Sequence, residues 1–270
     1  MLFFSRSELT LYRQILIWSF LLFGVSIYAQ IAIYGDTRTQ HDIHRQVVAQ
    51  LTQHSFHTLF HSGDLVQQGL RQSEYDNFLE IIDPLTQNAA FYPARGNHEK
   101  NKDLFLDNFL YLSDTYYAVS IDSIRWIILD STRRLSPGSA QYTWLQQQLT
   151  DSDLPIIIIV HHPVFSSGKH GDELGLGLFL PALFGQYPVK AVFSGHDHCY
   201  ERSFHKGIHY ITTGGGGAPL YDHSSRNDHS QVFHKAYHYC ILDPVDRNQI
   251  RVKVYGLHDR IIDEFTISLR

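Results

Sequence analysis

No Gly-x-Ser-x-Gly elbow occurs anywhere in the chain, which removes the usual signature of a serine hydrolase. The one long glycine run, in "TTGGGGAPLY", has neither the spacing of a dinucleotide fingerprint nor the Gly-Lys-Ser/Thr ending of a P-loop. Lysine and arginine form no block, and the formal net charge is −5, which argues against a nucleic-acid backbone as partner. No repeat, low-complexity tract or Pro/Ser linker divides the sequence. Its 270 residues therefore read as one domain able to bury a sizeable core. Only two cysteines are present, Cys199 and Cys240. In an oxidising compartment they can pair, and in any compartment they can sit unpaired in the core. Histidine, by contrast, is abundant, with 18 copies.

The first 29 residues differ in character. "MLFFSRSELTLYRQ" carries Arg6 and Arg13, and an uncharged apolar run follows from Ile15 to Ala29. This is the pattern of a secretory signal peptide cleaved after Ala29. The division expected is a signal peptide over 1–29 and one domain over 30–270, with export to a periplasm or the medium. An uncleaved segment would instead tether the chain to a membrane. Nothing beyond it suggests membrane contact, and oligomeric state is not legible.

After residue 29, strands and helices alternate. "IAIYGD", "FHTLFHSGD" and "AAFYPARGNHE" read as strands. Between them, "TQHDIHRQVVAQLTQ" and "QSEYDNFLEIIDPLTQ" carry apolar residues at helical spacing. "YYAVSIDSIRWIILD" reads as a hairpin, "QYTWLQQQLT" as a helix and "LPIIIIVHHP" as a strand buried on both faces. "VKAVFSGHDH", "GIHYITT" and three closing β runs complete an α/β pattern with mixed sheets.

Five apolar strands end in a polar burst rich in metal-ligand types: Asp36, Asp64, Asn97 with His98, His161, and His196 with His198. In open α/β sheets the site lies beyond the carboxyl ends of the strands, so residues distant in sequence meet there. A preceding glycine permits the sharp turn and close backbone approach. Two carboxylates, one amide oxygen and three imidazoles suit a pair of Zn, Mn or Fe ions better than Ca or Mg. Two such ions about 3.5–4 Å apart clamp an in-line displacement at phosphorus.

The motifs "GDTR", "GDLVQQG", "GNHE", "HHPVFSSGKHG", "VFSGHDHCYER" and "YITTGGGGAPLY" resemble those of the calcineurin-like metallophosphoesterases, and most of all small bacterial relatives of the purple acid phosphatases. The resemblance runs from about Ile31 to about Tyr221. It implies a four-layer αββα sandwich of two mixed β-sheets flanked by helices. It also implies a dinuclear site in which Asp64 bridges two divalent or trivalent ions (Fe, Zn or Mn). One ion would take Asp36, Asp64 and His198; the other would take Asp64, Asn97, His161 and His196. His98 would sit over the phosphate as general acid or electrostatic partner, and His170 would contact phosphate. His162 is expected to face away from His161, because a strand alternates faces.

Two residues depart from the family pattern. Arg38 stands where many members have histidine, and Gln67 where the purple enzymes have tyrosine. Arg38 cannot ligate a metal because it stays protonated. It is left to bind a phosphate oxygen or a structural carboxylate. The function implied is hydrolysis of small-molecule phosphate monoesters by a metal-bound hydroxide. A phosphodiesterase or nucleotidase, or a metal-stabilised binding protein without activity, are the alternatives.

Overall fold

The computed structural model describes residues 30–270. The expected signal segment, and with it the boundary at Ala29, lies outside the described residues. The chain begins β1 (Gln30–Tyr34), α1 (His41–Leu51), β2 (Phe56–His61), α2 (Gln72–Thr86), β3 (Ala90–Pro93) and α3 (Lys102–Asn108). The hairpin β4 (Tyr117–Ile121) and β5 (Ile124–Leu129) turns at Asp122 and Ser123, both at positive φ (51° and 62°). Such dihedrals match the twist of the flanking strands. Then follow α4 (Ala140–Thr150), β6 (Ile156–Val160), α5 (Leu180–Phe184), β7 (Val189–Ser194), β8 (Tyr200–His205) and β9 (Ile208–Thr213). The chain closes with β10 (Ser230–His234), β11 (His238–Asp246), β12 (Gln249–Gly256) and β13 (Arg260–Ser268).

Two mixed sheets result. One has the order β13-β12-β11-β1-β2-β3, the other β10-β8-β9-β7-β6-β5-β4. Strand alternation explains how they stack. Ile31 and Ile33 of β1 join Phe60, Trp126, Ile157, Ile159 and Phe193 in a core between the sheets. Ala32 and Tyr34 point the other way, against Val47, Val48 and Leu51 of α1 and Phe78 of α2. On the second sheet, Ile156, Ile158 and Val160 pack against Leu145 and Leu149 of α4 and Leu180 of α5. Every residue of β6 is therefore buried, as its unbroken apolar run requires. The four layers are helix, sheet, sheet, helix, the sandwich expected from the motifs.

β1, β2 and β3 run parallel, as do β5, β6, β7 and β9, so each group delivers its carboxyl ends to one edge. No helix among the described residues is long and apolar enough to cross a membrane. Cys199 and Cys240 are buried free thiols, which corrects the option of a disulfide. Cys240 lies on β11 in the first sheet, its Sγ 3.6 Å from Thr213 Oγ1, whereas Cys199 precedes β8 in the second. Burial pushes the Cys240 thiol up to about 12 and raises that of Cys199, so both stay protonated.

Candidate metal centre

The loops after β1, β2 and β7 turn sharply. Asp36, Asp64 and His196 all lie in the left-handed backbone region, with φ of 58°, 57° and 68°. Strain of this kind persists where surroundings over-determine it. Asp36 N donates to Gly63 O and Thr37 N to Asp64 O, each at 3.0 Å, lacing the first two loops together. Gly63, at φ 102°, has no room for a side chain: a Cβ there would stand 2.6 Å from His161 Nδ1. The fully buried Glu99 carboxylate accepts hydrogen bonds from the backbone N–H groups of Asp64, Val66 and Gly96. Burial, then the neighbouring Asp64 charge, pushes Glu99 up to about 8.

All six expected ligands converge. Asn97 Oδ1 lies 2.9 Å from His161 Nε2 and 3.1 Å from His196 Nδ1. His161 Nε2 is 3.3 Å from Asp64 Oδ1. On the other side of Asp64, His198 Nε2 is 3.6 Å from Asp36 Oδ1. Both Asp36 oxygens also lie 3.0 Å from the donating His196 N–H. Asp36, Asp64 and His161 each offer an atom within 4.8 Å of the others, a spacing that can hold a metal ion.

Hydrogen bonds fix which ring nitrogens face the centre. His161 Nδ1 donates to Ser62 O at 3.0 Å and His198 Nδ1 to Pro219 O at 2.7 Å. A carbonyl can only accept, so each Nδ1 carries the hydrogen and each Nε2 presents a lone pair. Burial keeps the rings neutral. It lowers His161 far below the ordinary histidine range, His196 to about 2 and His198 to about 3. Asp36 is raised by burial and then by the Asp64 charge; Asp64 is raised by burial, opposed by His98 and Arg38. Asn97 Oδ1, His161 Nε2 and Asp64 Oδ1 face one another as acceptors, and the lone pair of His161 Nε2 meets no donor there. Buried polar groups are normally paired, so this half of the site fits a cation.

The other half contains one already. Arg38 Nε donates to Asp64 Oδ2 at 3.2 Å, and Arg38 Nη2 lies 3.5 Å from His198 Nε2. Of the two roles open to Arg38, this geometry is the pairing with a carboxylate.

His98 sits at the mouth, with 24% of its side chain exposed. Its N–H donates to Asp64 Oδ1 at 3.0 Å, and its Nδ1 contacts the Gln67 carbonyl. His98 Nε2 is 3.8 Å from Asp64 Oδ2. His170 stands at the rim, its ring 4.4 Å from His196 and 5.5 Å from Tyr221.

His162 does not face away. Its ring is 4.3 Å from His196, and its Nε2 is 3.5 Å from Glu173 Oε1. β6 ends at Val160, so alternation no longer governs the two histidines that follow. Several further groups support the centre. Asp197 accepts from Ser166 Oγ, His170 N and Gly171 N, anchoring the rim loop. Glu173 Oε1 lies 2.9 Å from His196 Nε2, and Tyr221 stacks on His198 at 4.1 Å. Asp197, like Glu99, lies inside a ligand motif, and a carboxylate beside a buried ligand was its available signal. Tyr221 closes the motif "YITTGGGGAPLY", and Glu173 has no such signal.

A family model described as "Calcineurin-like phosphoesterase" matches residues 29–200. Among curated relatives, "Probable purple acid phosphatase 20" of Arabidopsis thaliana is 26% identical over 218 residues, covering 69% of this chain and 51% of that protein. "Purple acid phosphatase 18" of the same plant is 29% identical over 164 residues, covering 52% and 37%. The chain thus spans about half or less of the length of these relatives. Among solved structures, the yellow lupin purple acid phosphatase PPD1 superposes with a TM-score of 0.77 at 19% identity, over 89% of this chain and 53% of that one. The Plasmodium inner membrane complex anchor GAP50 gives 0.76 at 16% identity, over 90% and 89%.

Proposed function

This chain belongs to the calcineurin-like phosphoesterase family, and from that premise we propose that it is an exported, metal-dependent phosphatase acting on small-molecule phosphate monoesters. The observation that carries the reading is the convergence of Asp64 Oδ1, Asn97 Oδ1, His161 Nε2 and His196 Nδ1. These residues would hold Fe, Zn or Mn, with Asp36 and His198 completing the donor set around Asp64. Bound there, the metal would supply Lewis-acid polarisation of a phosphoryl oxygen and neutralise charge on it.

The remaining groups bind, orient and move protons. With His98 Nδ1 held by the Gln67 carbonyl, Nε2 is the nitrogen left to gain and lose a proton. Protonated, it donates to the leaving-group oxygen or to the phosphoryl group. His170 stands across the mouth beside His196, where its ring can meet a second phosphate oxygen. The Glu173 carboxylate lies 2.9 Å from His196 Nε2 and 3.3 Å from His170 Nδ1, a charge beside both rings. Asp197 fixes the loop that carries His170. The Gly63 turn and the Glu99 cradle set the position of Asp64.

One observation favours the non-catalytic binding protein as a second reading: Arg38 already neutralises Asp64. Hydrolysis of p-nitrophenyl phosphate and of a matched diester, by protein loaded with Mn, Zn or Fe, separates the readings. Metal-dependent monoester turnover that Asp64→Ala abolishes is expected. Preference for the diester would move the assignment to a phosphodiesterase, and no turnover by metal-loaded protein would favour the binding role. Residues 1–29 are taken as the export signal. An exported protein whose measured mass does not begin at Gln30 would refute that cleavage.

A further inference from the structure

The two halves of the centre differ in what they lack. On the side of Asn97 and His161, Asn97 Oδ1, His161 Nε2 and Asp64 Oδ1 converge with one donor, the His98 backbone N–H on Asp64 Oδ1, and among the described residues no lysine or arginine contacts them. Around Asp36 and His198 the cation is part of the chain. Arg38 contacts Asp64 through Oδ2, the oxygen turned away from His161, and reaches the bare Nε2 of His198. These are the atoms an ion in that half would need. The Arg38 side chain is only 16% exposed, and Tyr221 lies flat on the far face of this corner, stacked on His198.

Charge points the same way. Asp36, Asp64 and Glu99 are buried carboxylates packed together. The guanidinium is permanently protonated and supplies one positive charge that pH does not remove. A divalent ion placed in the same corner would meet that charge at contact distance in a poorly solvated site, where like charges repel strongly. Protein ligands there are few as well. Gln67, in the loop after β2, has its backbone carbonyl engaged with His98.

We propose that Arg38 takes the place of one metal ion, so that the centre binds a single ion at Asp64, Asn97, His161 and His196 beside a fixed guanidinium. The inference rests on the metal-centre reading above and specifies its stoichiometry. Asp36 then serves chiefly as an acceptor for the His196 N–H, and His198 as an acceptor for Arg38.

The test is a metal count on the purified chain, equilibrated with excess Mn or Zn and freed of unbound ion, by plasma mass spectrometry. One ion per chain is expected, retained in Asp36→Asn and lost in His161→Ala. Arg38→Gly, which empties the corner, is expected to rise towards two. A wild-type count of two would overturn the proposal while leaving the metal centre intact. A count of zero in folded protein would instead overturn the metal-centre reading. One ion lost in Asp36→Asn but kept in His161→Ala would place it in the wrong half and overturn the proposal, even if Arg38→Gly failed to fold.

Discussion

Asp64 Oδ1 and His161 Nε2 lie 3.3 Å apart, a carboxylate oxygen facing a ring nitrogen whose hydrogen sits on the opposite side. The pair repels unless a cation lies between its members. Binding to the folded state alone stabilises it by about 2.7 kcal/mol at a hundredfold excess over Kd. For a domain of this size that is about 5–10 °C in Tm. Metal-loaded protein should therefore melt higher than chelator-treated protein by that margin in differential scanning fluorimetry. Identical curves would count against a metal at this site.

His98→Ala should reduce phosphatase kcat by roughly 10²–10⁴, the usual range for losing a general acid. Metal content should not change, because the His98 contact with Asp64 Oδ1 is made by its backbone N–H. Single-turnover kinetics beside a metal count check both halves. Undiminished kcat would remove His98 from the chemistry.

Away from the centre, Asp263 accepts from the Tyr200 hydroxyl at 2.6 Å and Arg202 Nε at 2.7 Å. Partial burial raises its pKa, but the Arg202 and Tyr200 hydrogen bonds outweigh that and hold it below the usual carboxylate range. A depressed carboxylate stabilises the fold above its unfolded pKa, about 3.9, and the contribution fades as pH falls through the folded value. Asp263→Asn should cost about 1–3 kcal/mol at pH 7. Urea titrations of both proteins should converge as pH drops below about 4. A gap that stays constant with pH would assign the loss to packing instead.

Thiol titration in denaturant should find both Cys199 and Cys240 free whether or not reductant was present, and reductant should leave Tm unchanged. A reductant-sensitive Tm would mean that the two are bridged.

Much of the centre was legible because its donors punctuate apolar strands. One glycine followed by a ligand type is an ordinary turn, but the repetition before Asp36, Asp64, Asn97 and His196, each at the end of an apolar strand, points to one shared site. What escaped depended on where elements stop or on partners chosen by folding. His162 departs from strand alternation because β6 stops at Val160. β8 is not legible because "YERSFH" has no clean apolar alternation; its Glu201 is buried against Ser167, a partner 34 residues away. The pairing of Arg38 with Asp64 spans 26 residues and depends on how two loops are laced, so the sequence left two roles open.

The six donors are drawn equally from the two sheets. Asp36, Asp64 and Asn97 follow β1, β2 and β3; His161, His196 and His198 follow β6 and β7. Their spacing is thus a gauge of the gap between the sheets, set well below the centre by contacts such as Phe60 on Trp126, with ring centroids 4.3 Å apart. A cation held by Asp64, Asn97, His161 and His196 would be gripped from both sides and would work as a clasp on an open-ended book. It would resist the covers sliding, and anything that thickens or thins the binding would shift its jaws.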